Sequence, residues 1–122
     1  METLLIVGKV IFGGYFLIMG LMHFKNLKMM TGYATSKGVP SPALAVGGSG
    51  LMILLGGAGI ILNTYIGPAL LLVAIFLTFV SLKMHAFWKE TDPNAKMSEM
   101  TNFLKNMALL GATVALYALL TS

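Results

Sequence analysis

Four long apolar runs dominate the chain, separated by short polar stretches. They cover about residues 3–24, 43–62, 67–88 and 98–120. Each is close to the ~20 residues that a helix needs to cross a hydrocarbon core of about 30 Å. The pattern predicts an all-α, antiparallel four-helix membrane bundle forming a single domain over residues 1–122.

Within each run the polar and small residues fall at helical spacing. Lys9, Gly13, Phe16, Gly20 and His23 share one face of the first helix. The two glycines let a neighbouring helix approach closely, so this face is expected to point inward. Lys9 reads as snorkelling to the near interface. The second run is glycine-rich, and Ala43, Gly47, Gly50, Leu54 and Gly57 form its smooth stripe. A phosphate loop is excluded there, because no strand precedes the glycines and no Lys-Ser/Thr follows. In the third run Thr78, Ser81, His85 and Trp88 line up. In the fourth, Asn102, Asn106, Leu109, Thr113 and Tyr117 do.

The connections carry their own signals. Phe24, Leu27, Met30 and Tyr33 suggest a short interfacial helix, ended by Gly38-Val-Pro-Ser-Pro. Asn63 to Gly67 is a tight link, with Pro68 suited to a first helical turn. Lys89 to Met97 is the most soluble part. Asp92-Pro-Asn reads as a turn, and Ser98 as an N-cap with Glu99 in the first turn.

Composition agrees with the runs. Of 122 residues, 57% are hydrophobic and 10% are charged, against the ~25% charged that soluble domains carry. The mean hydropathy is +0.88. The net charge of +4 comes from lysines alone. They cluster at helix ends, which fits anionic headgroups rather than nucleic acid. Lys25, Lys28, Lys37, Lys89 and Lys96 fall on the side of the first and third connections. The positive-inside rule makes that side cytoplasmic, with both termini outside a cell membrane. The first run lacks a small-residue cleavage site, so no cleavable signal peptide is expected.

Candidate chemistry gathers at the lysine-rich end, where the stripes bring His23, His85, Trp88, Asn102 and Asn106 to similar depth. Polar groups at membrane depth are costly and suggest a site. The alternative is plain interhelical hydrogen bonding, at about 1 kcal/mol per bond. Three ligands suit a histidine pair. A quinone headgroup could be hydrogen-bonded by histidine and asparagine under Trp88. A haem would need the histidines to face each other. A copper or zinc ion would draw on Met22, Met84 or Met97 as well. With no cysteine, thiol chemistry is excluded. No carboxylate is expected within a spanning segment, and Asp92, the only aspartate, falls in the solvated loop. Paired-carboxylate and Ser-His-Asp chemistry are therefore not expected.

Several stretches together resemble the DoxX family of small four-helix membrane proteins. They are Gly20-Leu-Met-His-Phe, Gly32-Tyr-Ala-Thr-Ser-Lys-Gly-Val-Pro, Leu54-Leu-Gly-Gly, His85-Ala-Phe-Trp-Lys and Asn102-Phe-Leu-Lys-Asn-Met-Ala-Leu-Leu-Gly. The family takes its name from a small subunit associated with an archaeal thiosulfate:quinone oxidoreductase. The resemblance implies the four-helix fold and an oxidoreductase partner, soluble or membrane-bound. Family members often carry an acid in the second hydrophobic segment, where this chain has none. The leading expectation is a membrane subunit of a quinone-linked oxidoreductase, with His23, His85 and Trp88 touching the headgroup and Asn102 and Asn106 orienting it. A non-catalytic scaffold or assembly partner is the alternative, and a small-solute transporter a third. A homo-oligomer is compatible with all three.

Overall fold

The computed structural model describes residues 2–122. Five α-helices follow one another: α1 (Glu2–Lys25), α2 (Leu27–Ser36), α3 (Pro42–Leu62), α4 (Ile66–Met84) and α5 (Pro93–Leu120). A single 3-10 turn, Phe87–Lys89, sits between α4 and α5. Four segments, α1, α3, α4 with the 3-10 turn, and α5, are long and apolar enough to cross a membrane. The chain is a multi-pass, all-α membrane protein, and α2 is the short exception.

The long helices form an antiparallel row in the order α1, α3, α4, α5. Small residues set the spacing. A Cβ placed on Gly13 would lie 2.8 Å from the Gly57 carbonyl oxygen, and one on Gly20 would lie 2.8 Å from the Leu54 nitrogen. Lipid supplies no hydrophobic drive between helices, so close backbone packing of this kind holds the pair together. The α1 face read from the sequence is the buried one: Lys9, Gly13, Phe16, Gly20 and His23. On α3 the stripe differs. Gly50 and Gly57 meet α1, Gly56 and Gly59 meet α4, and Gly47 touches nothing within 4 Å.

Turn chemistry closes the row. Asn63 ends α3 in the left-handed region (φ 53°), and Tyr65 precedes α4 there too (φ 48°). Asparagine tolerates this conformation and is a common helix terminator. Asn63 also accepts a 3.0 Å hydrogen bond from Lys9 Nζ. Lys9 thus reaches the near end of the bundle as a buried chain with a partner.

Two boundaries depart from the pattern. The third run ends its helix at Met84, four residues short of Trp88. The fourth begins at Pro93, with Asp92 as the cap that accepts from Ala95 N at 2.9 Å. Ser98 is therefore no cap, and Glu99 lies beyond the first turn. Proline at the first helical position needs no donor, so Asp92-Pro93 starts the helix earlier.

The packed core is Phe16, Ile53, Ile60, Ala69, Leu70, Val73 and Leu77. It runs from the middle of the bundle toward the end that holds the termini. The lysine-rich half is built differently.

Candidate functional site

At that end a single carboxylate ties three elements together. Glu99 is 6% exposed. Its Oε2 accepts from the Tyr33 hydroxyl at 2.6 Å and lies 2.6 Å from Lys37 Nζ. Its Oε1 accepts from His85 Nδ1 at 2.9 Å and from Asn102 Nδ2 at 3.3 Å. Lys37 also reaches Glu90 at 2.7 Å. A buried carboxylate is tolerable only when paired and hydrogen-bonded in this way. The cluster pins α2 and the end of α4 onto α5.

Burial raises the pKa of the Tyr33 phenol, and its bond to the Glu99 carboxylate raises it further. Burial alone would lower that of Lys37, but the carboxylates of Glu90 and Glu99 outweigh it and hold the ammonium above the ordinary lysine value. For a raised pKa, stability is fully present below the unfolded value, about 10.4 for lysine. It is lost as pH rises through the folded value. Between neutral pH and about pH 10 the thermal midpoint in detergent is therefore expected to show no loss from Tyr33 and Lys37, with a decline above that. In Lys37→Met that alkaline decline should be reduced.

Above the latch lies a mostly apolar cavity of about 540 Å³. Met19 and His23 line it from α1, Met30 from α2, Val46 and Ser49 from α3, and Phe76 and Val80 from α4. Tyr33, Lys83, His85, Asn102, Lys105 and Asn106 line its polar side. The space exists because α1 and α5 do not pack closely, meeting through Lys105 Nζ on the Tyr15 hydroxyl at 3.2 Å.

Four of the five residues singled out in the sequence thus share one cavity. Trp88 does not. It is 49% exposed and packs edge-on against Phe87 and Phe103, with centroids 5.2 and 5.5 Å away. The cause is the early end of α4: the 3-10 turn swings Trp88 off the Ser81 face.

The histidines are held by their Nδ1 atoms. His23 Nδ1 is 2.7 Å from the Met19 carbonyl, which can only accept, so Nδ1 carries the hydrogen. His85 Nδ1 donates to Glu99 by the same logic. Nε2 of each ring has no protein partner among the described residues. Asn106, 5% exposed, also lines the cavity without a protein partner among them.

Three members of the site, Glu99, Tyr33 and Lys37, were not expected. A carboxylate does lie within a spanning helix, contrary to expectation. The signal was present for Glu99, which extends the Asn102–Asn106 stripe by one step of three. Nothing in the sequence places Tyr33 and Lys37 across from it, because that pairing spans 66 residues.

The fold and cavity define a class: a multi-pass helical membrane protein with a half-open, mostly apolar cavity at its lysine-rich end. No protein-family model matches the chain, and no solved structure does. A 58-residue stretch is 38% identical to peptidoglycan glycosyltransferase MrdB of Escherichia coli (strain K12), and likewise to that of Shigella flexneri. It covers 48% of this chain and 16% of those proteins. A 56-residue stretch is 38% identical to the probable peptidoglycan glycosyltransferase FtsW of Geobacter sp. (strain M18), covering 46% of this chain and 15% of that one. The chain therefore spans about a sixth of the length of the curated relatives it matches.

Proposed function

We propose that this protein is a DoxX-like membrane subunit of a quinone-linked oxidoreductase system, with a quinone-type headgroup held in the cavity. The observation that carries the reading is the cavity's make-up. Its walls are mostly apolar, and His23, His85 and Asn106 offer polar atoms without a protein partner among the described residues, with Lys83 also in the lining. A ligand pocket normally has this pattern of apolar lining with a few convergent polar groups. His23, His85, Asn102 and Asn106 hold the headgroup. The apolar walls take the ring and the start of its tail. The lysine-rich end faces the cytoplasm and the termini face outward, in line with the positive-inside rule. Electrons come from a partner subunit. The activity of the peptidoglycan glycosyltransferases is not carried over, because so small a part of them is matched.

Trp88 is the only tryptophan and lies three residues from His85, so it reports on the site without forming it. Titrating a short-chain quinol, kept reduced under anaerobic conditions, into the purified protein is expected to quench Trp88 fluorescence saturably. In His85→Ala and Asn106→Leu the apparent affinity should fall about tenfold, the size of one or two buried hydrogen bonds. An identical titration curve in all three proteins would sink the reading. It would favour a scaffold role, in which glycine-face changes matter and the histidines do not.

A further inference from the structure

The cavity's hydrogen-bonding polarity separates the two redox forms of such a ligand. We infer that the site favours the reduced, dihydroxy form of a quinone over the oxidised form; this rests on the quinone reading above. The inference turns on His23. Its ring is 5% exposed, packed against Gly50 and edge-on to Phe76 at a centroid distance of 5.9 Å. Its Nδ1 hydrogen is spent on the Met19 carbonyl at 2.7 Å. In the neutral imidazole the other nitrogen, Nε2, is then a pure acceptor. It has no partner among the described residues. Nor is it one of the polar atoms sealed away without a partner, which are Thr31 Oγ1 and Ser81 Oγ. His23 lines the cavity, so this acceptor is the one its ring has left for an occupant.

A quinone carbonyl also only accepts. Set against Nε2, it makes no hydrogen bond and meets a lone pair. A quinol hydroxyl donates, and the bond forms. Asn106 does not discriminate, since its amide both donates and accepts. Lys83 and Lys105 also line the cavity and only donate, but both are exposed and can snorkel to the interface, so the discrimination rests on the buried His23. His85 has the same Nδ1–H arrangement, through Glu99 Oε1 at 2.9 Å. While neutral it adds a second acceptor. A Cβ at Gly50 would lie 2.6 Å from His23 Cβ, so glycine at this position leaves room for the base of the His23 side chain.

The test uses the full-length protein in detergent, with decylubiquinol and decylubiquinone as probes. Their dissociation constants are measured separately, the quinol under anaerobic conditions. The quinol is expected to bind about tenfold more tightly, the worth of one hydrogen bond to a buried group. By linkage a tenfold preference raises the two-electron potential of the bound couple by about 30 mV. In His23→Gln, whose amide can donate as well as accept, the ratio should fall toward one. Should that variant fail to fold, nitrogen-15 NMR of the histidine-labelled wild type reads the same point. A neutral His23 ring protonated at Nδ1 is expected, and a ring protonated at Nε2 overturns the inference. Equal binding of the two forms, or tighter binding of the quinone, also overturns it while leaving the quinone reading intact. Binding of neither form removes both.

Discussion

Gly57→Ala is expected to destabilise the bundle by about 3 kcal/mol, although it adds a single methyl group. That Cβ would lie 2.6 Å from both the Gly13 carbonyl oxygen and the Leu17 nitrogen. Both are backbone atoms of a long helix, so no side chain can rotate out of the way. The α1–α3 contact must open along its length, and the cost exceeds the ordinary gain of alanine over glycine in a helix. Gly47→Ala is the matched control. It lies on the same helix and in the same sequence stripe, yet a Cβ there meets nothing within 4 Å. Its thermal midpoint in detergent should equal or slightly exceed that of the wild type. Equal loss in both variants would mean that helix-wide glycine flexibility, not close approach, is what matters.

Glu99→Ala should have an effect of similar size, by a different route. The substitution strips four donors of one acceptor: Tyr33, Lys37, His85 and Asn102. Removing one member of a buried ionic cluster costs about 3–5 kcal/mol, because the remaining groups stay desolvated and unpaired. Lys37 keeps Glu90, which puts the expected loss at the lower end of that range. The damage should be local first. The cluster fastens α2, which also rests on α3, over the cavity, so α2 is expected to become protease-sensitive before the long helices melt. Limited proteolysis near Lys28 and Lys37, set beside the global thermal midpoint, separates the two steps. If α2 is as resistant in Glu99→Ala as in the wild type, it is held by something other than this carboxylate. Glu99→Gln should be milder, since the amide can still accept from Tyr33.

How far the site could be read from the sequence varies residue by residue. His23 and Asn106 stand where their stripes put them, because each lies inside a long regular helix whose 3.6-residue period fixes its face. Trp88 leaves the Ser81 face because α4 ends at Met84, where no proline or glycine in the sequence marks the stop. Glu99 falls in the first turn only if the helix starts at Ser98; Asp92-Pro93 starts it earlier and carries Glu99 into the second turn. A boundary shift of about one and a half turns thus separates a first-turn acid from the central carboxylate of the site.

The sequence by itself determined that four helices lie in a membrane, which face of α1 turns inward, and which end is rich in lysine. These follow from transfer free energy and helical period, both local properties of the chain. The tertiary structure alone decided which glycines of α3 meet α1 and which meet α4. It also brought Tyr33 and Lys37 to Glu99 and left an opening between α1 and α5. Those depend on how rigid helices pack against one another over distances of fifty residues and more along the chain, and no periodicity records that.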